Sequence, residues 1–270
     1  MAAGRFTGKR ALVTGASRGI GAAIAEALAE EGADVAIVAR TLDHHPTLPG
    51  SLEETATRLR AHGANVAIIV ANIADEEARA GIVPQAIEAL GGPIDILVNN
   101  AAAGVFEPLE GVAVRRRRLV FEVDVHAPLD LAQAVLPGMR SSGAGWIVNL
   151  SSGAANHDVG PPFVHDGIVA VSGIYGAAKA ALNRLTNALG AELHGTGIRV
   201  NTIEPRSTVA TPGVASFVGD DPADFGDALP DGEFEPMETI VAAALALCDC
   251  GPDRTAGVYV SVDLLAELDG

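Results

Sequence analysis

The sequence predicts an α/β fold: one doubly wound domain over residues 1–270, built on a parallel sheet of seven strands with helices on both faces. Short aliphatic runs alternate with helical patterns along the whole chain. The runs are apolar at successive positions, as strands buried on both faces are. A composition of 31 glycines with only 4% aromatic residues suits tight turns between aliphatic strands and Ala-rich helices.

The runs "RALVTG", "DVAIVAR", "NVAIIVAN", "IDILVNN", "GWIVNLSS", "IRVNTIEP" and "GVYVSVD" are read as the seven strands in order. Helical patterns fall near 20–31, 52–62, 76–90, 112–140, 174–194 and 236–249, and Gly32, Gly63 and Gly91 stand where three of them should stop. Three segments break the rhythm: 41–52 after the second strand, 153–173 after the fifth, and 206–235 after the sixth. All three follow the carboxyl ends of strands, where open α/β sheets bind their ligands. Residues 206–235 mix acids (Asp220, Asp221, Asp224, Asp227, Asp231, Glu233, Glu235) with apolar groups (Val214, Phe217, Val218, Phe225, Phe234) and are expected to form a substrate lid.

A formal charge of −16 argues against a nucleic-acid surface, because phosphate backbones are held by Lys and Arg. The basic run Arg115 to Arg118 spreads around a helix and is read as a solvated, salt-bridged face. Cys248 and Cys250 match neither a zinc set nor a disulfide framework. No signal-peptide run and no membrane-spanning run is found, so a cytoplasmic protein with no membrane partner is expected. His157, Asp158, His165 and Asp166 lack recognised ligand spacing and are read as loop polar groups, with no metal.

The candidate chemistry begins at "TGASRGIG", residues 14–21, between the first strand and the first helix. Glycines there allow a tight turn and close approach of a pyrophosphate to the helix amides. Tyr175 and Lys179 lie four apart on one helix face, so an ammonium stands beside a phenol. A nearby cation lowers a phenol's pKa, ordinarily about 10, and would make the pair a proton donor and acceptor.

With "NNAA" at 99–102 and a serine ending the fifth strand, these motifs closely resemble the short-chain dehydrogenase/reductase family over nearly the whole chain. The resemblance implies a Rossmann fold and a hydride exchanged between a nicotinamide dinucleotide and a carbonyl or alcohol carbon. It implies that Tyr175 exchanges the proton, that Lys179 tunes it and binds the ribose, and that Ser152 holds the substrate oxygen, with Ser151 the fallback should the register slip by one. The family's asparagine on the following long helix is replaced by Asp124, which accepts hydrogen bonds but cannot donate them when ionised.

The cofactor-binding residues implied are Gly15, Ser17, Arg18, Gly19, Ile20, Gly21, Arg40, Asn72, Ile73, Asn100, Ala101, Tyr175, Lys179, Pro205 and a backbone contact near Val209. Thr211 lies one residue later than the family's pattern. Strand two ends in Arg40 with no acid at its tip, and Arg18 lies in the glycine turn, which favours NADP(H). Asp43 leaves NAD(H) open. The substrate expected is a small molecule, a hydrophobic aldehyde, ketone or secondary alcohol. Helices 112–140 and 174–194 are the family's subunit-pairing helices, implying a homodimer or homotetramer. Alternatives are a weakly active dinucleotide-binding regulator, for which Asp124 is the only support, and epimerase or dehydratase chemistry on the same scaffold.

Overall fold

The computed structural model describes residues 4–163, 171–218 and 234–270. Seven parallel strands form one sheet: β1 (Arg10–Thr14), β2 (Asp34–Ala39), β3 (Val66–Val70), β4 (Ile96–Asn99), β5 (Gly145–Leu150), β6 (Ile198–Glu204) and β7 (Val258–Val260). Their order is β3-β2-β1-β4-β5-β6-β7, so the chain reverses its winding between β1 and β4. There Ala11 pairs with Ile96 and Val13 with Val98, and their carboxyl ends open the crevice used by ligands of such sheets.

Helices cover both faces because every central strand is apolar on both. On one side α1 (Gly19–Glu30), α2 (Leu52–Ala61), α9 (Met237–Leu247) and α10 (Ser261–Asp269) bury Ile24, Leu28, Leu59, Ile240 and Leu264 against the sheet. On the other, α4 (Ile82–Leu90), α6 (Ala127–Ser142) and α7 (Gly173–Glu192) pack against Leu12, Leu97 and Ile147. Ser51 caps α2 by accepting from the Glu54 amide at 3.1 Å, and Asp75 caps α3 (Glu76–Ala80) by accepting from Ala78 at 2.9 Å. Gly32, Gly63 and Gly91 all take positive φ at helix ends, as expected.

The structure differs from the expected elements in four places. The 76–90 pattern is two helices, α3 and α4, which meet at Gly81. The long helix starts as α5 (Val114–Phe121), widens to a π turn over Glu122–His126, and continues as α6. Only Val258–Val260 of the last run is strand; from Ser261 the chain is helical, because Ser261 and Leu264 are buried at helical spacing. Residues Pro212–Val218 of the expected lid form a helix, α8, while 219–233 lie outside the described residues. Arg115 to Arg118 are exposed on α5, and Arg116 pairs with Glu107 at 2.8 Å. Among the described residues no helix is long and apolar enough to cross a membrane.

Candidate active site

The carboxyl ends of β1, β4, β5 and β6 and the start of α7 surround a cavity of about 410 Å³. Ser152 leaves β5 and Tyr175 sits in the first turn of α7, and both line the cavity. Lys179, one turn along α7 and 2% exposed, donates to the Leu150 carbonyl at 2.8 Å. Its ammonium stands 5.6 Å from the Tyr175 ring centre, and the Phe106 ring tilts against the same tyrosine at 5.5 Å. Ser151 also lines the cavity, but its hydroxyl is buried without a partner among the described residues, whereas Ser152 is the serine that pulls the Tyr175 pKa down.

Asp124 lies in the π turn and is fully buried. One carboxylate oxygen accepts from the Ala103 amide at 3.0 Å, and the other is 3.1 Å from the Lys179 ammonium. Burial pushes the Asp124 carboxyl above the usual range, against the pull of Lys179. Burial alone would lower Lys179, but the charges of Asp124 and Tyr175 outweigh it and its pKa rises. Tyr175 is the correction: its pKa is raised, because burial outweighs the ammonium and the Asp124 carboxylate adds to the rise, with Lys179 and the Ser152 hydrogen bond pulling the other way. The phenol therefore stays protonated through neutrality.

The glycine turn has the form a close ligand needs. Gly15 and Gly19 take φ of +68° and +57°, which favour glycine. A side chain at Gly21 would stand 2.3 Å from the Asn100 amide nitrogen and 2.6 Å from the Gly15 carbonyl oxygen. Asn100 locks β4 to this turn by donating to the Thr14 carbonyl at 2.9 Å, and the Ala101 amide donates to the Thr14 hydroxyl at 3.1 Å. Ser17 is buried beneath the turn and Ile20 faces the cavity. A second groove, lined by Thr47, Leu48 and Pro49 on one side and Pro212 on the other, shares Thr211 and Val214 with the cavity. A cradle that excludes side chains, continuous with the pocket of Tyr175, fits a bound dinucleotide.

Two arginines stand near the glycine turn. Arg40 is exposed at the tip of β2 and close enough to Arg18 to lower its pKa, after burial, which is the larger cause. Arg18, expected on a phosphate, donates to the carbonyls of Pro49 and Gly50 at 2.7 and 2.9 Å. The lengthened connection after β2 reaches back over the turn and takes these donors. Asn72 and Ile73 follow β3; Asn72 is exposed, its side-chain oxygen accepting from Ala74 at 3.3 Å, and Ile73 is buried. Pro205 and Val209 line the cavity, and Val209 is bridged to Glu235.

Sequence reasoning missed several cavity residues. Phe106, Asn156 and Ser172 line it, yet stand in connections without a local pattern. Glu235, counted among the lid acids, is buried: it accepts from the Arg206 amide at 2.7 Å and from the Ser261 hydroxyl at 2.7 Å. His157 and Asp158 are exposed, while His165 and Asp166 lie outside the described residues, as do Asp220 to Glu233 and Phe225.

The family model described as short chain dehydrogenase matches residues 9–220. L-xylulose reductase of Bos taurus is 33% identical over 268 residues, covering 96% of this chain and 96% of that protein. Among solved structures, L-sorbose reductase from Gluconobacter frateurii, complexed with NADPH and L-sorbose, superposes with a TM-score of 0.80 at 30% identity, covering 96% of this chain and 97% of that one. A 3-oxoacyl (acyl-carrier-protein) reductase from Agrobacterium tumefaciens with NADP bound gives 0.79 at 28% identity, covering 94% and 93%.

Proposed function

The chain belongs to the short-chain dehydrogenase family and is an NAD(P)-dependent oxidoreductase, and from that premise we propose that it uses NADP(H) to interconvert a neutral carbonyl compound and its secondary or primary alcohol. The observation that carries the reading is the cluster of Tyr175, Ser152 and the buried Lys179 around one cavity, which Ile20 and Asn100 also line beside the glycine turn.

Gly15, Gly19, Gly21, Ile20 and Ala101 would hold the dinucleotide, with Arg40 on its 2′-phosphate; when bound it supplies or takes up the hydride. Ser152 and Tyr175 hold the substrate oxygen. In reduction, Tyr175 donates its phenolic proton to that oxygen as the carbon gains hydride, so the carbonyl becomes an alcohol. Its raised pKa suits this direction, since the acid form dominates at neutrality. Oxidation needs the phenolate and rises with pH. Lys179 holds positive charge beside the phenol, and Asp124 fixes Lys179 while offsetting part of that charge.

For the substrate, Phe106, Leu150, Val209 and Val214 provide an apolar side of the cavity and support a partly hydrophobic ketone, aldehyde or secondary alcohol. A charge of −16 adds no attraction for polyanionic substrates. The relatives bound to NADPH and NADP support the choice of NADP(H), as does Arg40 standing where an acid would serve NAD(H). A homodimer or homotetramer and a cytoplasmic location remain part of this reading. The test is NADPH and NADH oxidation with a panel of neutral ketones and aldehydes. Faster turnover with NADPH on neutral substrates is expected; preference for an acyl thioester of coenzyme A would overturn the substrate class.

A further inference from the structure

Glu204 ends β6 and is 3% exposed, an acid in the floor behind the catalytic cavity. One carboxyl oxygen accepts from the Asn156 side-chain amide at 3.2 Å, and the other is buried without a hydrogen-bond partner among the described residues. Asn156 lies on the cavity wall with Ser152, Tyr175 and Ser172. The Ala155 amide donates to the Ser152 carbonyl at 2.9 Å and the Asn156 amide to Gly153 at 3.0 Å, so consecutive tight turns bring Ser152 and Asn156 close together. Glu204 accepts one of the two N–H groups of Asn156, which sets the amide with its nitrogen toward Glu204 and leaves the carbonyl oxygen as an acceptor.

We propose that Asn156, braced from behind by Glu204, recognises a hydroxyl group beside the reacting carbonyl, so that the substrate is a small hydroxylated ketone and its product the corresponding polyol. The proposal deepens the carbonyl-reduction reading and rests on it for the reacting group. Burying a carboxyl with one oxygen unpaired is costly, and burial pushes its pKa up, with the Asn156 bond pulling it back. Its return is a fixed amide orientation in the wall, since an asparagine without such a partner can present either end. Glu204 is thus a positioning residue; Asn156 is the specificity residue that touches substrate.

The test compares kcat/KM for hydroxyacetone with that for butanone, its isostere lacking the hydroxyl, using NADPH. The ratio in the parent is expected to fall roughly three- to tenfold in Asn156→Ala and Glu204→Leu, the scale of one neutral hydrogen bond. In both variants kcat/KM for butanone should fall by less than that for hydroxyacetone. Glu204→Gln, whose carbonyl oxygen still accepts from Asn156, should keep most of the preference. An unchanged ratio in both disruptive variants overturns the proposal, and so does an equal loss on both ketones. Binding of xylitol to the NADP⁺ complex by calorimetry separates the two readings. Binding that depends on Asn156 without any ketone turnover would sink the reductase reading alone, whereas absence of xylitol binding in the parent would sink this one.

Discussion

Asp124 is the residue whose identity most changes the chemistry. Its carboxylate stands 3.1 Å from the Lys179 ammonium and raises the pKa of Tyr175, opposing the ammonium. Replacing it by asparagine removes a negative charge, so the folded pKa of Tyr175 falls and phenolate forms at lower pH. Asp124→Asn is therefore expected to move the pH–rate profile for alcohol oxidation to lower pH. An unmoved profile would refute the role. The Tyr175 and Lys179 pair was legible in the sequence because helix spacing puts both on one face, and Ser152 was legible only through the family resemblance. The direction of the tyrosine's shift was not, since a spacing argument counts the cation and omits the burial that outweighs it. Asn156 and Glu204 were illegible for a related reason: they are 48 positions apart, and only the pairing of β5 with β6 brings them together.

At the scale of elements, the glycine turn and seven strands could be read from aliphatic runs, and the parallel strand order puts the segments that follow β1, β4, β5 and β6 at one carboxyl edge. What failed were boundaries set by tertiary contact. The terminal run "GVYVSVD" looks like strand throughout, but Ser261 is held by Glu235 and starts a helix. Glu235 joins the Arg206 amide, at the start of the cavity-lining segment, to α10. Glu235→Ala leaves both donors without their acceptor, and a loss of roughly 2–4 kcal/mol is expected for two buried bonds of about 1–3 kcal/mol each before water replaces them. Urea denaturation measures that loss, and the KM for NADPH should rise because the 205–209 segment loses its anchor. Equal midpoints for parent and variant would show that the clamp carries no load.

For the molecule as a whole, a ligand that binds only the folded state raises its stability by about 2.7 kcal/mol at a hundredfold excess over Kd. At about 2–4 °C per kcal/mol for a chain of this size, NADPH should raise the Tm by roughly 5–10 °C. NADH at the same concentration should raise it less, and Arg40→Asp should reverse that order. Equal shifts with both dinucleotides, unchanged in the variant, would contradict the use of Arg40. The central claim is that this fold assembles Tyr175 as the proton donor of a carbonyl reduction. The most direct measurement is NADPH oxidation by the parent and by Tyr175→Phe, with NADPH binding followed in parallel. The account predicts a loss of about 10²–10⁴-fold in kcat, the usual contribution of a positioned general acid, with NADPH affinity changed only a few-fold. Turnover by the phenylalanine variant at the parental rate would contradict it.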